Sequence, residues 1–181
     1  MHVDQADAIV AEVLAWSAGT LEAPHAVFGG LPVCPFARAA RLKRAIRFEI
    51  CAFSVTDPLE TGSALLDLIG DFAREEAAGR SETLFVIHPD RHAISAPELE
   101  GFVVRLDRRL EAVPRLAGLR VFDAHPESEF QVGDVYTRRG PYPSFQVLSH
   151  ARLKATSDTL RGAGYYDRFT PAMLRAVGMP R

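Results

Sequence analysis

Cysteine is scarce in this sequence, which has only Cys34 and Cys51 among its 181 residues. Two cysteines are too few for the disulfide framework of a small secreted domain or for a zinc site with four thiolate ligands. This usage predicts a reducing compartment, and we expect the protein in the cytoplasm. The N-terminal residues show no basic segment followed by an apolar core, and no run of about 18 or more apolar residues occurs. The sequence therefore predicts neither an export signal nor a membrane span.

A large net charge is also absent. The chain has 21 lysines and arginines against 23 aspartates and glutamates, which gives a formal net charge of -2 at pH 7. So small a charge provides no long-range attraction to nucleic acid or to an anionic membrane surface. We therefore expect neither as a partner, and the oligomeric state is left open.

Several catalytic signatures are missing from the sequence. It contains no Gly-x-Gly-x-x-Gly dinucleotide loop, no phosphate-binding Gly-x-x-x-x-Gly-Lys-Ser/Thr, no His-Glu-x-x-His and no Gly-x-Ser-x-Gly. These absences argue against the common nucleotide-binding, zinc-protease and serine-hydrolase classes.

The composition is otherwise that of a globular protein, with 48% hydrophobic, 24% charged and 9% aromatic residues. At this length one compact unit is favoured, and we expect residues 1–181 to form a single α/β domain. An alternating apolar pattern predicts a strand over residues 46–55, and further strands are predicted over residues 83–88, 119–124 and 144–149. Helical spacing predicts helices over residues 6–17, 36–44 and 151–161, and others that begin at Asp57-Pro58, Ser95-Ala96-Pro97 and Thr170-Pro171, the last closed by Gly178.

Strands that alternate with amphipathic helices are typical of βαβ units. We therefore expect an α/β (or α+β) fold with a four-stranded, mixed or largely parallel sheet and helices packed on it; a ferredoxin-like arrangement is the main rival. Residues 127–143 lack periodicity and are interrupted by glycine and proline. They predict a long loop, and such loops in compact domains often carry function.

The dipeptide Cys34-Pro35 follows a loop rich in glycine and proline. If Pro35 is the first residue of a helix, the Cys34 sulfur lies beside unpaired backbone N–H groups and the positive end of the helix dipole. This placement predicts a lowered thiol pKa and a thiolate that could act as a nucleophile or as a ligand for a metal or haem iron. The alternative is a small buried side chain beneath Phe36.

His125-Pro126 directly follows the third predicted strand, at the edge where open α/β sheets tend to bind ligands. An imidazole there could be a general base, a metal ligand or a haem ligand. The alternative is a histidine at the strand end that is hydrogen-bonded to the backbone. His88-Pro89 has the analogous place after the second strand, so the two pairs share one edge if these strands are parallel.

Two adjacent arginines, Arg138 and Arg139, occur in the predicted loop between Tyr136 and Tyr142. Arginine side chains bind carboxylate or phosphate groups through two parallel hydrogen bonds. The segment therefore predicts binding of a small anionic metabolite or of haem propionates, and we expect the loop to fold back toward His125. The alternative is an exposed loop with solvated charges.

These motifs resemble those of the bacterial domain-of-unknown-function family 1415. The family's Leu-Cys-Pro-Phe-Ala is similar to residues 33–37, and its Phe-His-Pro to residues 124–126. Its Tyr-Thr-Asn-Arg-Ser-Pro-Tyr-Pro is similar to residues 136–143, and its Leu-Arg-Ala-Leu-Gly to residues 174–178. The resemblance implies a shared site built from Cys34, His125, Arg139 and Tyr142; it implies no particular reaction.

The sequence departs from the family pattern at two places. The Asn-Arg-Ser of the family is Arg138-Arg139-Gly140 here, and the His-Leu-Leu that usually follows Pro-Tyr-Pro is Gln146-Val147-Leu148. This chain has therefore exchanged a neutral amide for a charge and has lost an imidazole. If that histidine serves the family's general role, the departure implies a changed activity.

Three functions remain open from the sequence. The first is a small-molecule metabolic enzyme that acts on a small anionic substrate, with Cys34 and His125 as catalytic residues and Arg138, Arg139, Tyr136 and Tyr142 as binding residues. The second is a haem- or iron-binding redox enzyme with His125 or Cys34 as the axial ligand, and with His88 as a further possible metal ligand. The third is a non-catalytic ligand-binding domain, in which Cys34 is buried packing.

Overall fold

Four apolar segments of the chain pair into one mixed β-sheet in a computed structural model that describes residues 3–176. The strands are β1 (Ile46–Ile50), β2 (Thr83–Ile87), β3 (Leu119–Ala124) and β6 (Ser144–Ser149), in the spatial order β1-β2-β6-β3. β1 and β2 are parallel, whereas β6 is antiparallel to both of its neighbours. The predicted α/β fold with a four-stranded mixed sheet is confirmed. The ferredoxin-like rival is wrong, because consecutive strands β1 and β2 are parallel neighbours.

Apart from α3, the helices lie near the predicted residues. They are α1 (Val3–Trp16), α2 (Ala37–Leu42), α3 (Ala64–Ala77), α4 (Ala96–Ala112), α5 (His150–Leu160) and α6 (Pro171–Ala176). α4 begins after Ser95 as predicted, with a capping box in which the Ser95 N–H donates to the Glu98 carboxylate at 2.9 Å. The predicted closure of the last helix at Gly178 lies outside the described residues. No helix in the described part of the chain is both long and apolar enough to cross a membrane.

One face of the sheet carries the main hydrophobic core. The helices α3 and α4 pack on it, and apolar side chains of β2, β3 and β6 point into it, including Leu84, Val86, Val121, Phe145 and Val147. Complete burial of one such side chain contributes about 1.5 to 3 kcal/mol, so this layer dominates the stability. Cys51 packs against the same core.

The opposite face of the sheet is covered by α1 together with α2 and α5. α1 buries Ile9 and Val13 against Phe48 and Phe85. Successive residues of a strand point to opposite faces. Phe85 and Gln146, which lie between core residues in β2 and β6, therefore point to this second face. This second layer contains the cavity described below.

Three segments differ from the sequence prediction. β1 ends at Ile50 and not at residue 55. α3 begins after its cap residue Ser63 and not at Asp57, because the Asp57 carboxylate accepts from the Leu59 N–H at 2.7 Å and Leu59 is in the left-handed region at φ 56°. The predicted loop 127–143 contains a small hairpin of β4 (Gln131–Val132) and β5 (Val135–Tyr136). Strands of two residues are too short to show a period, which explains why the pattern did not predict them.

Candidate functional site

A cavity of about 220 Å³ lies between the sheet and the layer of α1, α2 and α5. Its floor is the sheet face that carries Phe48, Phe85, Gln146 and Phe122, and its walls include Trp16 and Cys34. Most of the lining is apolar or aromatic. The arrangement agrees with the usual construction of small-molecule sites, which are concave, mainly apolar and furnished with a few polar groups.

Cys34 is held in the cavity wall by its backbone. Its N–H donates to the Leu21 carbonyl at 2.8 Å, and the N–H groups of Phe36 and Ala37 face its sulfur. Because α2 begins at Ala37, the prediction that Cys34 lies within one turn of a helix N-terminus is confirmed. Pro35, however, is not the first helical residue.

The predicted direction of the Cys34 pKa is wrong. Burial among apolar side chains raises the pKa of the thiol, and this effect exceeds the opposite effect of the Phe36 and Ala37 N–H groups. The nearby Glu22 carboxylate raises the pKa further. Cys34 is therefore a protonated thiol at neutral pH in this conformation, because a short helix terminus cannot replace the lost hydration of a thiolate.

Glu22 is kept ionised by an arginine. The Arg41 Nε and Nη2 atoms donate to the two Glu22 carboxylate oxygens, both at 2.7 Å. These hydrogen bonds hold the pKa of Glu22 below its usual range despite its burial. A fixed negative charge near the sulfur therefore opposes formation of the Cys34 thiolate.

Two tyrosines close the cavity beside Cys34. The Tyr165 hydroxyl donates to the Val33 carbonyl, and the Tyr166 hydroxyl donates to Ser157 Oγ at 3.0 Å. Burial, followed by the neighbouring Cys34, raises the pKa of Tyr165. Both hydroxyls are neutral donors already in use, so neither is placed to remove a proton from the thiol.

His125 is buried outside the cavity wall, with only 3% of its surface exposed. Its Nδ1 accepts from the Glu127 N–H at 3.0 Å, which places the ring proton on Nε2 for donation to the Ile94 carbonyl at 2.8 Å. The imidazole is therefore not accessible to solvent, and both of its nitrogens are used by backbone groups. This geometry favours the alternative from the sequence, a histidine hydrogen-bonded to the backbone.

His88 lies at the same edge of the sheet as His125, as the parallel direction of β2 and β3 requires. Its Nδ1 accepts from the Asp90 N–H at 3.2 Å, and its ring packs edge-on against Phe53. The His88 backbone N–H donates to the Pro143 carbonyl at 2.9 Å. Neither strand-end histidine is among the residues that line the cavity.

The segment that follows β3 folds back onto the strand end. The His125 N–H donates to the Arg138 carbonyl at 2.9 Å, and Arg139 Nε donates to the Ser128 carbonyl at 3.0 Å. The Arg139 guanidinium also lies over the Tyr136 ring, 3.3 Å from its centroid. Arg139 and Tyr136 thus stabilise the loop and do not line the cavity.

Arg138 does line the cavity. Its Nη1 donates to Asp123 at 2.6 Å, and its guanidinium lies 4.1 Å from the centroid of Phe130. The side chains of Arg138 and Asp123 are 14% and 9% exposed, so the ion pair is largely shielded from water. It supplies the cavity with a paired charge at the end of β3.

Tyr142 is buried against α1. Its hydroxyl donates to Glu12 at 3.0 Å and accepts from Arg91 at 2.9 Å, and the Arg91 guanidinium lies 4.2 Å from the ring centroid. The contacts attach α1 to the loop before β6. Of the residues predicted from the sequence, the structure therefore places Cys34 and Arg138 in the cavity wall, whereas His88, His125, Arg139, Tyr136 and Tyr142 lie outside it.

Sequence reasoning did not identify most of the cavity residues. Trp16 was not singled out, and Gln146 was interpreted only as a departure from the family pattern. The signal for Gln146 was available, because it is the one polar residue between Phe145 and Leu148 in a buried strand. Within residues 3–176, no group of three or more His, Cys, Asp or Glu side chains could hold a metal ion.

The fold and cavity together define an α/β protein with a small apolar pocket on the second face of its sheet. A family model described as "Protein of unknown function (DUF1415)" matches residues 24–168, and the chain belongs to that family. No curated protein matches the chain, and no solved structure matches it.

Proposed function

We propose that this protein binds a small, mainly apolar molecule in the cavity beside Cys34. The observation that carries the proposal is the cavity itself, which lies between two packed layers and is floored by aromatic rings. Protein interiors are normally close-packed, and a void lined by apolar groups loses contacts that a ligand would restore. At about 220 Å³ the cavity is smaller than the ~300–1,000 Å³ of drug-sized sites, which favours a compact ligand.

The chain offers a built-in optical probe for this proposal. Trp16 is its single tryptophan and lies in the cavity wall. Toluene, as a compact apolar probe, should saturably change the Trp16 emission. The change should be lost in Ala40→Phe, because Ala40 also lines the cavity and the larger side chain would occupy the space that toluene needs. A linear response without saturation would contradict the proposal.

Thiol protection gives a second, independent measurement. Cys34 lines the cavity, whereas Cys51 packs against the core on the opposite face of the sheet. Bound toluene should slow alkylation of Cys34 by iodoacetamide in Cys51→Ser and leave alkylation of Cys51 in Cys34→Ser unchanged. Equal protection of both thiols would indicate a general stabilisation and not occupancy of the cavity.

The second candidate is the metabolic enzyme expected from the sequence, with Cys34 as the nucleophile and Arg138 binding an anionic substrate. The Phe36 and Ala37 N–H groups at the sulfur favour this use, and the Glu22 charge opposes it. Iodoacetate and iodoacetamide separate the two candidates, because they differ in charge. In an enzyme of this kind, the anionic iodoacetate should alkylate Cys34 faster than it alkylates Cys51. The Arg138→Gln substitution should remove this preference of Cys34 for the anionic reagent. A preference for iodoacetamide favours the binding role.

A haem- or iron-binding redox role is a third proposal from the sequence. In the described residues Cys34 is the only Cys or His side chain of the cavity wall, so it would be the axial ligand. The absorption spectrum of the purified protein tests this role. A Soret band that is lost in Cys34→Ser would support it, and a spectrum with protein absorption alone would contradict it.

A further inference from the structure

Gln146 lies at the centre of the aromatic floor of the cavity. It pairs with Phe85 of β2 on one side and with Phe122 of β3 on the other, and Phe85 pairs in turn with Phe48 of β1. Its chain neighbours Phe145 and Val147 belong to the main core, so the Gln146 side chain points to the cavity face. One row across the sheet therefore reads Phe48, Phe85, Gln146, Phe122.

The Gln146 amide has no hydrogen-bond partner among residues 3–176. A carboxamide has one acceptor oxygen and two N–H donors. The Gln146 side chain is half-buried, and its amide atoms keep contact with solvent, because no fully buried side-chain nitrogen or oxygen among residues 3–176 lacks a partner. No described residue satisfies the amide, so its donor and acceptor are available to a molecule that occupies the cavity.

We propose, on the basis of the ligand-binding role proposed above, that Gln146 selects a flat neutral ligand with a hydrogen-bond donor next to an acceptor. A primary carboxamide or a lactam edge has this pattern and can pair with the Gln146 amide through two hydrogen bonds. The flanking rings of Phe85 and Phe122 offer contact to an aromatic or planar body.

The charges around the cavity favour a neutral ligand over an anion. Glu22 near the Cys34 sulfur is ionised, and Glu82 lines the cavity while paired with Lys43 and Arg152. Arg138 is paired with Asp123. A carboxylate ligand would bring only acceptors to the Gln146 amide and would need to displace one of these pairs.

Three probes of similar size separate these possibilities: benzamide, benzoate and toluene. Binding is followed by Trp16 emission in the full chain, in Gln146→Met and in the control Gln131→Met. Methionine keeps the unbranched shape of glutamine without its amide, and Gln131 is exposed on β4, away from the cavity. We expect the wild type and Gln131→Met to bind benzamide tighter than toluene. Gln146→Met should bind benzamide roughly three- to tenfold more weakly and toluene no more weakly than the wild type.

A stability measurement without ligand gives a second readout. If the amide serves a ligand, Gln146→Met breaks no hydrogen bond within the described residues and should not lower Tm, and Gln131→Met should leave Tm unchanged. A structural role for the amide would instead lower Tm in Gln146→Met.

The outcomes distinguish this inference from the proposed function. Saturable toluene binding with equal benzamide affinity in the wild type and Gln146→Met overturns the role of Gln146 and leaves the binding cavity supported. Tighter binding of benzoate than of benzamide also overturns it. Absence of saturable binding by all three probes overturns both proposals.

Discussion

His125 Nε2 lies 2.8 Å from the carbonyl oxygen of Ile94, a residue in the segment between β2 and α4. The same ring accepts from the Glu127 N–H through Nδ1. The imidazole thereby joins the turn after β3 to the segment before α4, and it uses both nitrogens to do so.

This geometry predicts that His125→Ala lowers stability. The buried Ile94 carbonyl and the partly buried Glu127 N–H lose their partner, and an unsatisfied buried group costs about 1 to 3 kcal/mol. Thermal unfolding should show a decrease of several degrees in Tm, whereas toluene affinity of the folded protein should not change. His92→Ala is the matched control, because His92 is exposed. If Tm were unchanged and toluene binding were lost, His125 would belong to the binding site.

Alkaline pH should destabilise the protein through Cys34. The pKa of the Cys34 thiol is raised in the folded state. Its contribution to the free energy of unfolding is therefore complete below the ordinary cysteine pKa of about 8.5 and is lost as the pH rises above that value. The slope is about 1.4 kcal/mol for each pH unit between the unfolded and folded pKa values. Urea unfolding between pH 8 and 9.5 in a Cys51→Ala background should show this slope, and further Cys34→Ala substitution should flatten it. Equal slopes in both variants would contradict the prediction.

The ion pair between Asp123 and Arg138 predicts a large coupling free energy between the two side chains in the stability of the protein. Both side chains are mostly shielded from water, and removal of one partner from such a pair costs about 3 to 5 kcal/mol. Arg138→Met and Asp123→Leu should each lower the free energy of unfolding strongly, while the double variant should be much closer to the wild type than the sum of the two losses. Additive losses in the double-mutant cycle would show that the pair is not energetically coupled.

Tyr142→Phe should weaken the attachment of α1. The hydroxyl hydrogen-bonds Glu12 and Arg91, and these contacts hold the pKa of Glu12 below its usual range, with the Arg91 hydrogen bond as the largest cause. A lowered carboxyl pKa contributes stability above the unfolded value of about 4.3 that is lost as the pH falls. Glu12 is exposed, so we expect a loss below about 1 kcal/mol at pH 7 and a smaller loss near pH 3. A loss independent of pH would indicate altered packing only.

The sequence predicted the secondary structure well where one face of an element is buried. β3 and β6 occupy the predicted residues, because Leu119–Ala124 and Ser144–Ser149 are bounded by turns and packed on the core. The order of the strands could not be predicted, since the insertion of β6 between β2 and β3 depends on contacts distant in sequence. The start of α3 was misplaced because Asp57-Pro58 has the composition of a helix cap but forms a turn around Leu59.

The site was only partly predictable for a similar reason. Residue chemistry drew attention to His125 and Arg139, whose polar atoms are used by neighbouring backbone carbonyls and N–H groups. Such local hydrogen bonds depend on the fold of the loop and cannot be predicted from the residue types alone. Cys34 was predicted in the correct position but with the wrong protonation, because the depth of the surrounding apolar layer is not visible in the motif.

The place of β6 in the sheet has a consequence during synthesis on the ribosome. β3 pairs only with β6 among the described strands, and β2 gains its second neighbour from the same strand. In a nascent chain that ends before Ser144, the edges of β2 and β3 that β6 later covers are open and can pair with other chains. Of these four strands β6, one of the two central ones, is the last to leave the ribosome, so β3 has no partner in the sheet until Ser144–Ser149 has been made.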